Sequence, residues 1–488
     1  MYKNIASAIN RQKYVIISFC FAFSLMGWLL RSSHSMGVGM GGDVTDIWKT
    51  ITSFYSGNIQ PSYVLYKGFL SIYPYVWFYE LSKFFGLNSW LFIKLFHCFL
   101  FSYISAVGFP YIISKLLKIE IKFWRRILVI FLMFILWKPN HALQDMMIDL
   151  WSLTLFILAV SIALKLLENK IKTFTYVPFF AGLVLGTASL GSGQYFLPVV
   201  ILIVALLINL FSKENIKNVS KKFILIMYAI MMVVGVMVPK AYDVHFEKTV
   251  VDPMREDGAN IIPSKVWLDI GLGQAKRRYN LFWEPTIPNH RSLSIIKQDK
   301  GDDYGSFIQN EMIYSKRELI DLIRKHPVDF VTSWCNGLFL TVSMHGEHRS
   351  ILCLWISYTA LFLSLYAVFK RCKKLKDIFS VKLLIVLSFI SATVAPCINH
   401  LELRYVMAFQ GLFLSAAFLD NIIWNGIKNF LLWIKSLFSR TASMNLKNIN
   451  IPYSFVIYVL FIIMCFSNYA ALIENVGVNP SILFSWIY

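Results

Sequence analysis

Residues Tyr14 to Leu30 read YVIISFCFAFSLMGWLL, and some ten residues later the chain reaches Gly41-Gly42-Asp43-Val44-Thr45-Asp46-Ile47-Trp48. An uncharged run of that length predicts a helix buried in hydrocarbon, because a span takes roughly 20 apolar residues. The segment after it keeps two carboxylates about one helical turn apart. An ionised carboxylate beside hydrocarbon loses several kcal/mol of solvation unless it is paired or faces water. Acids kept at that place therefore predict a working site. The first apolar run is not followed by a small-residue cleavage site, so it reads as a retained span and not as a cleaved leader.

Comparable runs recur as far as Tyr469, in a chain of 488 residues that is 57% hydrophobic and 15% charged. The expected fold is an all-α polytopic membrane protein with about 11 transmembrane helices, at roughly 14–30, 89–113, 127–144, 148–166, 174–190, 194–211, 223–239, 351–369, 381–397, 404–424 and 452–472. Lysine and arginine gather in every second loop: Lys3, Arg11 and Lys13; Lys115 to Arg126; Lys165 to Lys172; Lys213 to Lys222; Lys370 to Lys376; Lys428 to Lys447. By the positive-inside rule these loops are cytoplasmic, which gives an inside N-terminus and an outside C-terminus. Residues 31–88, 240–350 and 398–404 then fall outside, and the formal charge of +20 is largely a consequence of topology. Residues 240–350 carry 15 acidic and 15 basic side chains, so nothing there predicts a nucleic-acid partner.

Three parts follow: an N-terminal transmembrane module at 1–239 containing the outer loop 31–88, a small outer domain at 240–350, and a C-terminal transmembrane module at 351–488. In residues 44–85, Ile47, Trp48, Ile51 and Phe54 recur near helical spacing ahead of an aromatic run, which predicts one or two helices lying on the outer face. Tyr73, Tyr75, Trp77 and Tyr79 suit the headgroup level. The third span is interrupted by Lys138-Pro139-Asn140-His141, Gln144, Asp145 and Asp149, and irregular polar backbone at that depth is tolerated beside a water-filled cavity. Gly182, Gly186, Gly191 and Gly193 allow close packing or a tight turn between spans five and six. Ser315 with Glu318 fits a capping box, Pro327 is expected to end that helix, and residues 425–450 read as a basic connector. The seven cysteines are isolated, so neither a structural disulfide nor a Cys-rich metal site is expected.

A hydroxyl nucleophile needs a base within hydrogen-bond reach, and a carboxylate can take its proton. Asp43 and Asp46 are the candidates; the competing reading is that one of them caps the helix that follows. Asn399-His400-Leu401-Glu402-Leu403-Arg404-Tyr405 sits at the outer mouth of span ten. A guanidinium recognises phosphate bidentately, so Arg404 could hold a lipid phosphate with His400 or Tyr405 adding a bond, or it could pair with Glu402. Arg31, Lys49, Lys67 and Lys240 near the same interface could attract an anionic headgroup or merely anchor the protein. Asp145 and Asp149, one turn apart, line a cavity, bind a cation or pair with Lys138 or His141. His345 and His348 make a weak metal half-site, with no third ligand at a diagnostic spacing. No glycine loop for cradling phosphate is present.

With these residues in place the chain resembles a GT-C type membrane glycosyltransferase, most closely the serotype-converting O-antigen glucosyltransferases. The resemblance rests on Asp43 and Asp46 in the first outer loop, the helical region 44–85, the element Arg324-Lys325-His326-Pro327-Val328-Asp329-Phe330, and Arg404-Tyr405 opening a late span. Many relatives follow that Arg-Tyr with proline and carry an adjacent Asp-Glu pair, whereas this chain has Val406-Met407-Ala408 and Asp43-Val44-Thr45-Asp46. The resemblance implies a polyprenyl-phosphate sugar as donor and a lipid-linked glycan as acceptor, joined by a single inverting displacement in the bacterial inner membrane. Asp43 or Asp46 would be the base, and Arg404 would receive the leaving phosphate. Tyr405, His400, Glu402, Lys49 and Arg31 would border the substrates, and Trp267, Trp283 and Tyr304 could stack on sugar rings. No cofactor is expected; a divalent metal is compatible but not indicated. Membrane lipids are partners, and the donor requires a synthase and a flippase in the same cell. A polysaccharide polymerase and a glycan flippase or transporter are the rival readings.

Overall fold

The computed structural model describes residues 2–31, 36, 43–54, 69–138, 143–144, 148–168, 176–191, 193–210, 219–253, 324, 327–343, 351–371, 381–398, 403–440 and 453–474. Of Asp43, Asp46, Arg404 and Tyr405 it describes the backbone. Among the described residues every regular element is helical. Apolar chain in hydrocarbon has to satisfy its own N–H and C=O groups, and a helix does so within each segment.

The chain opens with α1 (Tyr2–Leu30), α2 (Asp43–Ser53) and α3 (Phe69–Phe84). Next come α4 (Leu91–Ser102) and α5 (Phe109–Leu117), which form one path through a π-helical turn at Tyr103–Gly108. They are followed by α6 (Phe123–Trp137), α7 (Ile148–Glu168), α8 (Val177–Gly191), a 3-10 turn (Gly193–Tyr195) and α9 (Phe196–Leu210). α10 runs Val219–Phe246 and α11 Pro327–Val342. The last five are α12 (Ile351–Arg371), α13 (Val381–Ile398), α14 (Leu403–Leu419), α15 (Asn421–Arg440) and α16 (Tyr453–Glu474).

Each of the eleven apolar runs contains a helix, and among the described residues six segments are long and apolar enough to cross a membrane: Gln12–Leu30, Leu91–Leu117, Asp149–Leu166, Ile226–Val251, Ile351–Lys370 and Ser454–Ala471. α14 and α15, bent by 50°, make up to a seventh, and shorter apolar helices occupy Val177–Leu190, Phe196–Ile208 and Leu383–Thr393. The chain is thus a multi-pass membrane protein whose full span count is not fixed by helix length. Two expectations change. The span expected to close at 239 lies in α10, which runs through Pro239 to Phe246. Residues 425–440 are helical, so the expected connector is shorter. Pro327 opens α11; the Ser315 capping box and the chain that follows it to 323 lie outside the described residues.

Pairwise contacts fix the relative directions of three helices. Tyr14 meets Phe123 at 5.1 Å and Trp28 meets Phe134 at 6.5 Å, so α1 and α6 run parallel. Arg125 Nη1 donates to the Leu419 carbonyl at 3.2 Å, whereas Trp137 Nε1, at the other end of α6, donates to Gln410 Oε1 at 3.2 Å. α6 and α14 are therefore antiparallel. α14 is the central element, packed on α6, α12 and α13, with Met407, Ala408, Leu414 and Ala417 fully enclosed. One apolar core joins α1 through α9 to α13 and α14, and a smaller one joins Val342, Leu354 and Tyr358 to Cys465 and Tyr469.

Candidate functional site

These directions bring the sequence-derived candidates to one end of the bundle. α1 finishes at Leu30 on the same side as the C-terminal end of α6, and α14 starts there at Leu403. The end of α1 that precedes Asp43 in the chain and the helix start bearing Arg404 and Tyr405 thus share that end. The path from α4 into the π-helical turn runs antiparallel to α6, and so to α1, since Phe101 meets Trp137 at 6.4 Å while Arg126, at the other end of α6, donates to the Ala106 carbonyl at 2.5 Å. α7 begins alongside α4, with Phe96 and Trp151 at 5.4 Å. The N-terminal ends of α4 and α7 are therefore at this end too.

Asp43 is the first residue of α2 and Asp46 the fourth, so Asp46 does not precede the helix and the reading of it as a cap is set aside. Val44, Ile47, Thr50 and Ile51 are buried and Lys49 is exposed, which makes α2 amphipathic. Trp48 stacks on Trp90 at 3.9 Å and 19° and meets the edge of Tyr79 at 5.5 Å. These rings tie α2 to α3 and to the entrance of α4.

α3 covers a buried polar group that the sequence reading missed. Tyr75, expected at headgroup level, is fully enclosed, whereas Trp77 on the same helix is 54% exposed. The Tyr75 hydroxyl shares a 3.1 Å hydrogen bond with His97 Nε2. Asp149, 3% exposed in the first turn of α7, is near enough for its charge to act on Tyr75. Burial first, and then that carboxylate, push the phenol far above the ordinary value of 10.0, so it holds its proton as a hydrogen-bond donor. His97 Nδ1, Trp151 Nε1 and Ser152 Oγ are buried with no hydrogen-bond partner. Groups of that kind favour a polar guest, because buried polar atoms are almost always bonded. A sequence signal existed for Asp149, an acid opening an apolar run; none existed for the Tyr75–His97 pair.

The remaining cations divide. Arg31 is exposed, with its guanidinium 5.4 Å from the Trp28 ring, and Lys138 Nζ is 5.5 Å from the same ring. Lys240 pairs with Asp243 at 3.3 Å. Gln410, two helical turns beyond Arg404, accepts from Trp137 and donates to the Thr341 carbonyl at 3.1 Å, which ties α6, α14 and α11 together. His400, Glu402, Lys67, His141, Asp145, Trp267, Trp283, Tyr304, His345 and His348 lie outside the described residues. Among the described residues no group of three His, Cys, Asp or Glu could hold a metal ion.

Fold and site define an all-helical multi-pass membrane protein with a polar face at one end of the bundle. No protein-family model matches the chain, and no curated protein matches it. Among solved structures it is similar to the archaeal oligosaccharyltransferase AglB from Archaeoglobus fulgidus in complex with an inhibitory peptide and a dolichol-phosphate, at 10% identity and a TM-score of 0.40. The match covers 96% of this chain and 56% of that one, so the chain spans little more than half the length of that structure. A likeness of this degree assigns neither a family nor an activity.

Proposed function

We propose that the chain is a membrane glycosyltransferase moving a hexose, glucose in the first instance, from a polyprenyl-phosphate donor to a hydroxyl of a lipid-linked surface glycan such as O-antigen. The observation that carries this reading is the placement of the Asp43 helix and the Arg404 helix start at one end of the bundle. The basic loops support an outward orientation for that end, and we take the membrane to be a bacterial inner membrane with this end on its periplasmic face. Asp43 takes the proton of the acceptor hydroxyl as its oxygen bonds to the sugar C1 from the face opposite the phosphate. The C1–O bond to phosphate breaks, the anomeric centre inverts, and Arg404 balances the charge left on the polyprenyl phosphate. Asp46 is the second candidate base. Arg31, Lys49, His400, Glu402 and Tyr405 are assigned to the borders of the substrate site.

The test is the sugar composition and linkage of surface glycan from cells expressing wild type, Asp43→Asn, Asp46→Asn or Arg404→Ala at matched membrane levels. Loss of a general base lowers the rate by about 10² to 10⁴, so a side-branch sugar present with wild type should vanish with Arg404→Ala and with one of the Asp variants. Normal transfer by both Asp variants would overturn the assignment. Altered chain length at constant composition would make the protein a polymerase instead.

A further inference from the structure

α15 has a face that its position in the fold leaves without a role. Its sequence, NIIWNGIKNFLLWIKSLFSR, contains three cations and no acid. Helical register places Ile423, Ile427 and Ile434 along one side and Asn421, Asn425, Lys428 and Lys435 along the other, with Leu432 among the polar residues. Its first turn is seated on the bundle: Ile423 is 2% exposed, and Trp424 meets Trp124 edge-on at 4.2 Å and donates from Nε1 to the Phe418 carbonyl at 2.7 Å. Arg125 holds the joint, donating to the Leu419 carbonyl and to Asn421 Oδ1 at 2.5 Å. Further along, Leu431 is 58% exposed, and Lys428 and Lys435 are exposed.

The occupant of that face follows from three facts. α15 continues from α14 at a 50° bend, so it leaves the bundle at the level where a membrane-embedded helix ends. The Trp124–Trp424 pair sits at the joint, and paired indoles suit the boundary between chains and headgroups. The polar side carries cations with no acid to balance them, which matches lipid phosphate. We propose that α15 lies in the headgroup layer of a leaflet containing anionic phospholipid, with its apolar row in the acyl chains and Lys428 and Lys435 against lipid phosphates. This inference does not depend on the glycosyltransferase reading.

The full chain, in a background without its other cysteines, is labelled with an environment-sensitive fluorophore at Ile434→Cys or Asn425→Cys and reconstituted into phosphatidylcholine vesicles with or without phosphatidylglycerol. The 434 label should be quenched by brominated acyl chains and the 425 label by aqueous iodide. Phosphatidylglycerol should raise acyl-chain quenching at 434, and Lys428→Gln with Lys435→Gln should abolish that rise. Acyl-chain quenching of both labels would make α15 a continuation of the span, and iodide quenching of both would make it a solvent or protein-facing helix. Either result, or a rise that survives the double substitution, overturns the proposal. Unchanged tryptophan fluorescence and elution of the doubly substituted chain separate loss of lipid preference from misfolding.

Discussion

Trp48 lies face to face with Trp90, ring centroids 3.9 Å apart and planes inclined by 19°, and through this stack the helix bearing Asp43 and Asp46 is held to the entrance of α4. Four buried residues on an 11-residue helix are a small anchor, so the rings matter to where the acids sit. Aromatic pairs contribute about 0.5–1.5 kcal/mol beyond their area. A double-mutant cycle of Trp48→Ala and Trp90→Ala, read by thermal unfolding in detergent, should show coupling of that size. Trp90→Ala should also slow glycan transfer while both acids remain, and a coupling near zero would place the anchor elsewhere.

The Tyr75–His97 contact joins α3 to α4 in a fully enclosed setting. Tyr75→Phe leaves His97 with both ring nitrogens short of partners, and a stranded buried group costs about 1–3 kcal/mol. His97→Phe removes the partner with its need. The expected order of stability is wild type first, Tyr75→Phe last, and the double variant above Tyr75→Phe. Finding the double variant below both singles would mean that packing of the rings, and not the hydrogen bond, sets the cost.

Tyr75 also predicts alkaline behaviour. Burial, followed by the charge of Asp149, raises it above 10.0 in the folded protein, so the folded form keeps a proton that the unfolded chain releases. Below pH about 10 both states are protonated and the phenol adds no slope; above it stability falls by about 1.4 kcal/mol per pH unit. Unfolding midpoints followed from neutral pH upward should drop past pH about 10, and Tyr75→Phe should remove that one tyrosine's share of the drop. An identical slope in wild type and variant would place Tyr75 in water.

Periodicity carried the helices well and the joints poorly. Every apolar run became a helix because backbone hydrogen bonding in hydrocarbon leaves few alternatives. The seventh apolar run was closed at 239 because polar residues begin at Lys240, whereas the helix continues through Pro239 to Phe246. The 425–440 stretch was read as a connector because its lysines were weighed without the apolar row between them. Asp43, Asp46 and Arg404 could be named from the sequence, since charges beside apolar runs stand out. Tyr75, His97 and Asp149 could not be joined, because they come together only through the mutual register of α3, α4 and α7, which no local pattern encodes. Gln410 is the same case: its bonds to Trp137 and Thr341 each cross between helices.

The contact of α8 with α10 depends on glycine in a way the sequence only suggested. A Cβ on Gly182 would fall on the Met232 carbonyl, and one on Gly235 would fall on the Phe179 carbonyl, so each helix presses on the backbone of the other. Backbone cannot rotate aside as a side chain does, and the helices must separate to admit a methyl group. In a membrane, where apolar burial between helices gives little driving force, such close approach is itself the source of association. Gly182→Ala should cost about 1–3 kcal/mol, the range for overpacking, and Gly182→Val should cost more. Gly27→Ala is the control, because a Cβ there meets nothing within 4 Å. The measurement is thermal unfolding of the three variants in one detergent, together with disulfide trapping between cysteines placed on α8 and α10. Equal stability of Gly182→Ala and Gly27→Ala, with unchanged trapping, would show that the two helices sit further apart than this packing requires.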